Sequence, residues 1–236
     1  MLLDPINDIN NFDFDCRKLN PGRYKLLDTA DNNLEENKMI MLNGLQTFCM
    51  SCRMCPIGCS LVEKDNKKYD PHVFSTMTFK SKFMVVGQNP GINECMMGTP
   101  FIGDAGKNFD EEIQKNGLNR SDFYITNTVK CLTKKQDGSN NRKPSFKEVE
   151  TCSASFLANE IKIIQPTLII TLGESAFGFF CPEEKYSDRL GKITKSKYDN
   201  IYAIYHPSPM NINDPERRKA FNKQINLLAR LIKKIS

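Results

Sequence analysis

The stretch Val86-Gly87-Gln88-Asn89-Pro90-Gly91-Ile92-Asn93-Glu94 decides how the rest of this 236-residue chain is read. It follows the apolar run Phe83-Met84-Val85-Val86, which has the pattern of a short buried strand. A Gly, a Pro and a second Gly end that strand, so the chain turns sharply and exposes backbone amides. Ligands of open α/β sheets bind at this carboxyl edge. Gln88 and Asn89 stand there with amide side chains, able to read a polar ring or hold a water. Two other segments share this character: Gly98-Thr99-Pro100-Phe101-Ile102-Gly103-Asp104-Ala105-Gly106, and Tyr205-His206-Pro207-Ser208-Pro209-Met210.

Outward from these loops the chain alternates strands and helices. The first strand is expected over 79–86. Residues 123–129 alternate as a second strand and place Asn127 near its carboxyl end. Residues 167–173 form a third, fully apolar strand, and 201–205 a fourth that ends at His206. Asp104 is expected to cap a helix to about Asn116, with Gly117 as its stop. Ser145 and Glu148 make a capping box for a helix to about Ile164. Asp214-Pro215 opens the last helix, whose buried stripe is Phe221, Ile225, Leu228, Ile232 and Ile235. This order predicts an α/β fold, a three-layer αβα sandwich with a central four-stranded parallel sheet. Residues 64–69 read as a charged, exposed connector. Residues 1–45 are rich in Asn and Asp and read as an N-terminal extension of loops and one short helix. The domain itself is expected over 46–236.

Formal net charge is +5, with Lys and Arg dispersed, a balance that permits a polyanionic partner without demanding one. No apolar run approaches a membrane span, and the N-terminus lacks a basic start followed by an apolar core. A soluble intracellular protein, cytoplasmic and monomeric, is the expectation. There are nine cysteines, at 16, 49, 52, 55, 59, 95, 131, 152 and 181. An odd count with one tight cluster argues against a secreted disulfide framework and for metal binding. Cys49-x2-Cys52-x2-Cys55-x3-Cys59 has the spacing of bacterial ferredoxin clusters. Spacing alone leaves an iron–sulfur cluster, zinc and free thiols open. Of the two histidines, His72 lies in a Pro-flanked connector and reads as structural or solvated. The basic loop of Lys134, Lys135, Arg142 and Lys143 is suited to phosphate contacts.

The three loops, in this order, resemble the uracil-DNA glycosylase superfamily, in which a Gly-X-X-Pro-Gly loop faces a His-Pro-Ser loop across a base pocket. The Pro-Phe-Ile-Gly-Asp-Ala-Gly segment is most similar to the iron–sulfur members. The resemblance runs from about Cys52 to the C-terminus. It implies a monofunctional enzyme that flips uracil from DNA and hydrolyses its N-glycosidic bond. No lysine stands in the motif positions as a nucleophile for strand cleavage. His206 would donate to a uracil oxygen, Asn127 would pair with the ring's imide edge, and Phe101 would stack on the extruded base. Gly87, Gln88 and Gly91 would line the pocket, and Ser208 and Met210 would face DNA, Met210 as a wedge. The family's ligand pattern assigns a 4Fe–4S cluster to Cys52, Cys55, Cys131 and Cys152, leaving Cys49 and Cys59 surplus. Two departures stand out. Iron–sulfur members usually show Gly-Glu-Ala-Pro-Gly, whereas Asn89 resembles branches in which Asn positions the attacking water. Gly91 replaces the Tyr that excludes thymine's methyl in the strict uracil branch. A glycosylase for another pyrimidine such as 5-hydroxymethyluracil, and a non-catalytic DNA-binding homologue, are the alternative expectations.

Overall fold

The structure, a computed structural model, describes residues 32–134 and 142–235. In chain order the first elements are α1 (Asn32–Met50), a hairpin of β1 (Val62–Lys64) and β2 (Lys67–Tyr69), and β3 (Phe83–Gly87). Then come α2 (Ile92–Met97), α3 (Asp104–Lys115), β4 (Phe123–Asn127), α4 (Phe146–Cys152) and α5 (Ala158–Ile164). The C-terminal part comprises β5 (Leu168–Leu172), α6 (Glu174–Phe180), α7 (Tyr186–Arg189), β6 (Ile193–Ser196), β7 (Asp199–Ile204), α8 (Pro209–Ile212) and α9 (Pro215–Ile235).

The main sheet has the order β4-β3-β5-β7-β6. Strands β3, β4, β5 and β7 run parallel, as expected, while β6 pairs antiparallel with β7. The sheet is therefore five-stranded and mixed rather than four-stranded and parallel. The added edge strand is short and buries only Thr194 fully, so it carries little apolar signal. The charged connector of 64–69 also proves to be structured. Asp65 and Asn66 both take positive φ, the geometry of a type I′ hairpin turn that closes β1 on β2.

Side-chain alternation along the parallel strands divides the interior into two layers. Met84, Val86, Tyr124, Ile169, Ile201 and Ala203 face one side, where α1 supplies Leu42 and Leu45 and the α4–α5 segment supplies Phe156 and Ile163. Val85, Ile125, Ile170 and Tyr202 face the other, against Phe109 and Ile113 of α3 and Phe221, Ile225, Leu228 and Ile232 of α9. The period of two on each strand makes this three-layer sandwich. Ile235, the last residue of the expected stripe, is exposed. The Ser145–Glu148 capping box forms as expected. One turn of π-helix over Ser153–Leu157 separates α4 from α5 directly after Cys152. Among the described residues, no helix is long and apolar enough to cross a membrane.

Candidate active site and cysteine pocket

The register of the sheet builds the site. Gly87 pairs with Asn127 at the carboxyl ends of β3 and β4, so the first loop and the Asn strand end together. Strand β7 ends at Ile204, two residues before His206. Gly87 lies where a side chain has no room. A Cβ there would come within 2.4 Å of the Phe101 ring and 2.5 Å of Asn127 Oδ1. Phe101 and His206 face each other with ring centroids 6.0 Å apart. Four segments distant in sequence thus bring Gly87, Phe101, Asn127 and His206 to one place.

Asn127 is 1% exposed, and neither its Oδ1 nor its Nδ2 has a hydrogen-bond partner. Buried amides are almost always paired, so this one is built for a partner the protein does not itself provide. Its backbone is held firmly. The carbonyl accepts from Lys130 Nζ at 2.8 Å, and that fully buried ammonium also bonds Thr126 and the carboxylate of Glu160. Glu160 accepts in turn from the hydroxyls of Tyr124 and Thr126, both at 2.8 Å. This closed network beneath the sheet fixes where the end of β4 points.

His206 follows β7 into a Pro-rich turn. Burial pushes its imidazole down to about 4, so it is neutral at neutral pH. Gly173, at φ +87°, makes room for it, since a Cβ there would sit 3.0 Å from His206 Cβ. The turn is pinned by Asn108 of α3, which donates to Pro207 O at 2.9 Å, and by Asn211, which donates to His206 O at 2.8 Å.

On the first loop, Gln88 and Asn89 are half-buried. The Asn89 amide donates to its neighbour's carbonyl, Pro90 O, at 3.0 Å, which leaves its oxygen for another donor. Val129 N at 2.9 Å and Thr128 Oγ1 at 2.7 Å donate to Gln88 O, anchoring the loop to the chain beyond β4. Sequence reasoning expected Asp104 to cap α3, but the N-cap is Gly103, which has no side-chain cap, and Glu94 holds the backbone that leads into the helix. Its Oε1 accepts from Ile102 N at 3.0 Å and Gly103 N at 2.7 Å, and its Oε2 from Gly91 N at 3.0 Å. An acid three residues into a helix that follows Pro-Gly is a capping signal. Its further bonds to Ile102 and Gly103, eight and nine residues on, follow no such pattern.

A second cluster lies on the α1 side of the sheet. Cys52, Cys55, Cys131 and Cys152 line one small pocket with Met54, His72, Val129, Lys130, Thr151 and Phe156. Lys130 N donates to Cys152 Sγ at 3.2 Å. Burial first, then the neighbouring thiols, push the Cys131 thiol far above its ordinary range, and burial raises Cys152 to about 12. Four thiols gathered around one pocket, three of them buried, suit a cationic centre able to hold them as thiolates. Among the described residues, no three His, Cys, Asp or Glu side chains converge as ligands of a single ion. His72 is structural, as expected: Nδ1 faces Asp70 at 2.5 Å and Nε2 faces Cys52 O at 3.0 Å. Cys49 is buried outside this lining, and exposed Cys59 lies with Sγ 3.5 Å from Cys55 O.

The remaining expected residues that the structure describes lie at the periphery. Met210 is 75% exposed on α8, and Ser208 is that helix's N-cap. Lys134 is partly buried, and Lys135 lies outside the described residues. Arg142 is committed to a bidentate pair with Glu148, at 2.6 and 2.7 Å, which removes it from the free basic loop.

The family described as the uracil DNA glycosylase superfamily matches residues 74–229. The Type-4 uracil-DNA glycosylase of Archaeoglobus fulgidus is 33% identical over 202 residues, which cover 82% of this chain and 94% of that protein. A Type-4 uracil-DNA glycosylase of Pyrobaculum aerophilum is 31% identical over 193 residues, 78% of this chain and 91% of the relative. That of Saccharolobus solfataricus is 36% identical over 149 residues, 59% and 66% respectively.

Proposed function

Because the chain belongs to the uracil DNA glycosylase superfamily, we propose that it removes uracil from DNA by hydrolysing the N-glycosidic bond, as in base excision repair. The observation that carries this reading is the buried, unpartnered amide of Asn127 beside Phe101 and His206. A uracil edge offers an imide N–H and a carbonyl, the complement of an amide's oxygen and NH2.

The chemistry follows from these residues. An extruded uracil stacks on Phe101 and pairs with Asn127. Water held by Asn89 adds to the sugar C1′ while the C1′–N1 bond breaks, and its electron pair leaves with the base. Negative charge develops on a uracil oxygen, and the neutral N–H of His206 stabilises it there. Asn89 carries no charge and orients the water without taking its proton, which passes to solvent. The DNA strand stays intact, with an abasic sugar. Gly91 has no side chain to exclude a substituent on the ring's 5-position, so 5-hydroxymethyluracil is the second base to test.

The residues of the cysteine pocket fit a 4Fe–4S cluster held by Cys52, Cys55, Cys131 and Cys152. Four cysteines lining one buried pocket support that reading. Bound there, such a centre supplies a cross-link between the segment after α1, the chain beyond β4 and the end of α4. DNA phosphates would meet Lys134 and Lys135, while Ser208 faces the DNA and Met210 wedges into the stack beside the flipped base.

The experiment is excision from oligonucleotides carrying uracil opposite A, opposite G or in single strand, and 5-hydroxymethyluracil, with abasic sites revealed by alkali. Release of uracil is expected. Binding of these substrates with no base released would instead favour a non-catalytic DNA-binding protein.

A further inference from the structure

Phe101 occupies a conformation that a bulky side chain avoids. Its φ is +57°, in the left-handed region where residues with a Cβ are strained. Such a turn persists only when its surroundings hold it, and two side chains of opposite charge do so here. On the far side, Glu94 Oε1 accepts from Ile102 N and Gly103 N; on the near side, Arg120 Nη2 donates to Pro100 O at 2.5 Å. Arg120 is itself fixed by both oxygens of Asp110, at 3.0 and 3.1 Å. Glu94 also holds Gly91 N with its other oxygen, so one carboxylate ties the water-holding loop to the stacking ring. Below the turn Gly106 admits the Phe101 carbonyl, where a Cβ would clash at 1.9 Å.

We infer that Glu94 and Arg120 are positioning residues for base recognition: they clamp the backbone on either side of Phe101 and set its ring over the base pocket. This rests on the proposed uracil excision and adds to it two residues that touch no substrate. Glu94→Gln tests it with little change of shape. A Gln presents one oxygen and one NH2, so some of the three amides now face a donor. Arg120→Lys keeps the charge but cannot span Asp110 and Pro100 together.

Each variant should excise uracil about tenfold more slowly in single turnover, the loss of about one charge-assisted hydrogen bond. Inhibition by free uracil should weaken by a similar factor. Affinity for an abasic duplex, which presents no base to Phe101, should stay at the wild-type value. A purely structural role would lower the melting temperature and leave these ratios alone. Wild-type excision and uracil inhibition in either folded variant overturn the inference. Should Glu94→Gln fail to fold, Arg120→Lys decides alone. Failure of the wild type to release uracil rejects the underlying reading instead.

Discussion

Replacing Asn127 by Ala should separate recognition from stability. In the free protein both polar atoms of this side chain are buried without partners. Leaving a buried polar group without a protein partner costs about 1–3 kcal/mol. Removing the amide removes that cost. The melting temperature should stay unchanged or rise by about 2–4 °C, the shift that ~1 kcal/mol brings to a domain of this size. Excision moves the other way. The uracil imide N–H and carbonyl both lose their partner, and two bonds at about 1.4 kcal/mol each make a hundredfold loss. Thermal melting and single-turnover release of uracil measure the two effects on the same preparation. Asn127→Asp should shift preference toward cytosine, whose exocyclic amine donates where uracil accepts. A variant that melts several degrees lower and cuts normally would refute the reasoning, because the amide would then be serving the fold.

Five further outcomes concern the same site, the cysteine pocket and the DNA contacts. His206→Ala should slow excision about a hundredfold, the worth of one such donor, while binding of uracil-containing DNA persists. The folded-state value of His206, about 4, lies below the ordinary 6.5. Excision should therefore be flat from neutrality to about pH 5, and stability should fall as acidification from 6.5 towards 4 protonates the unfolded chain first. Asn89→Asp should preserve or raise the rate, since a carboxylate both holds the water and attracts the developing positive sugar. Anaerobically purified protein should be brown with about four irons per chain, lost in Cys131→Ser or Cys152→Ser and kept in Cys49→Ser and Cys59→Ser. Affinity for duplex DNA should fall steeply with salt, and Lys134→Gln should lower the log–log slope by about 1 whichever base is present.

The parallel strands and the loops at their carboxyl ends were legible because buried strands are continuous apolar runs and the turns are marked by Gly and Pro. That is why the sequence alone shows Gly87, Asn127 and His206 as neighbours at one sheet edge. The two strands of the β1–β2 hairpin were hidden by their charges, although Asp65-Asn66 is a turn pair. β6 escaped because a short edge strand with one buried side chain has no period to detect. Glu94 and Arg120 were illegible for a different reason. They act on backbone amides and a carbonyl across 8 to 20 residues, and sequence patterns report which face a side chain occupies, not which backbone groups need a partner. Sequence resemblance picked out four of the six cysteines at 49, 52, 55, 59, 131 and 152, and those four line the pocket. The π-helical turn after Cys152 had no signal in the helix pattern.

The central claim is most directly tested by analysing the products of one turnover on a uracil-containing duplex by mass spectrometry, without alkali. The account predicts free uracil and an uncut strand lighter by the base and heavier by one water, formed by the wild type and about a hundredfold more slowly by His206→Ala. An unchanged strand, a strand already cleaved, or equal rates from the two proteins would contradict it.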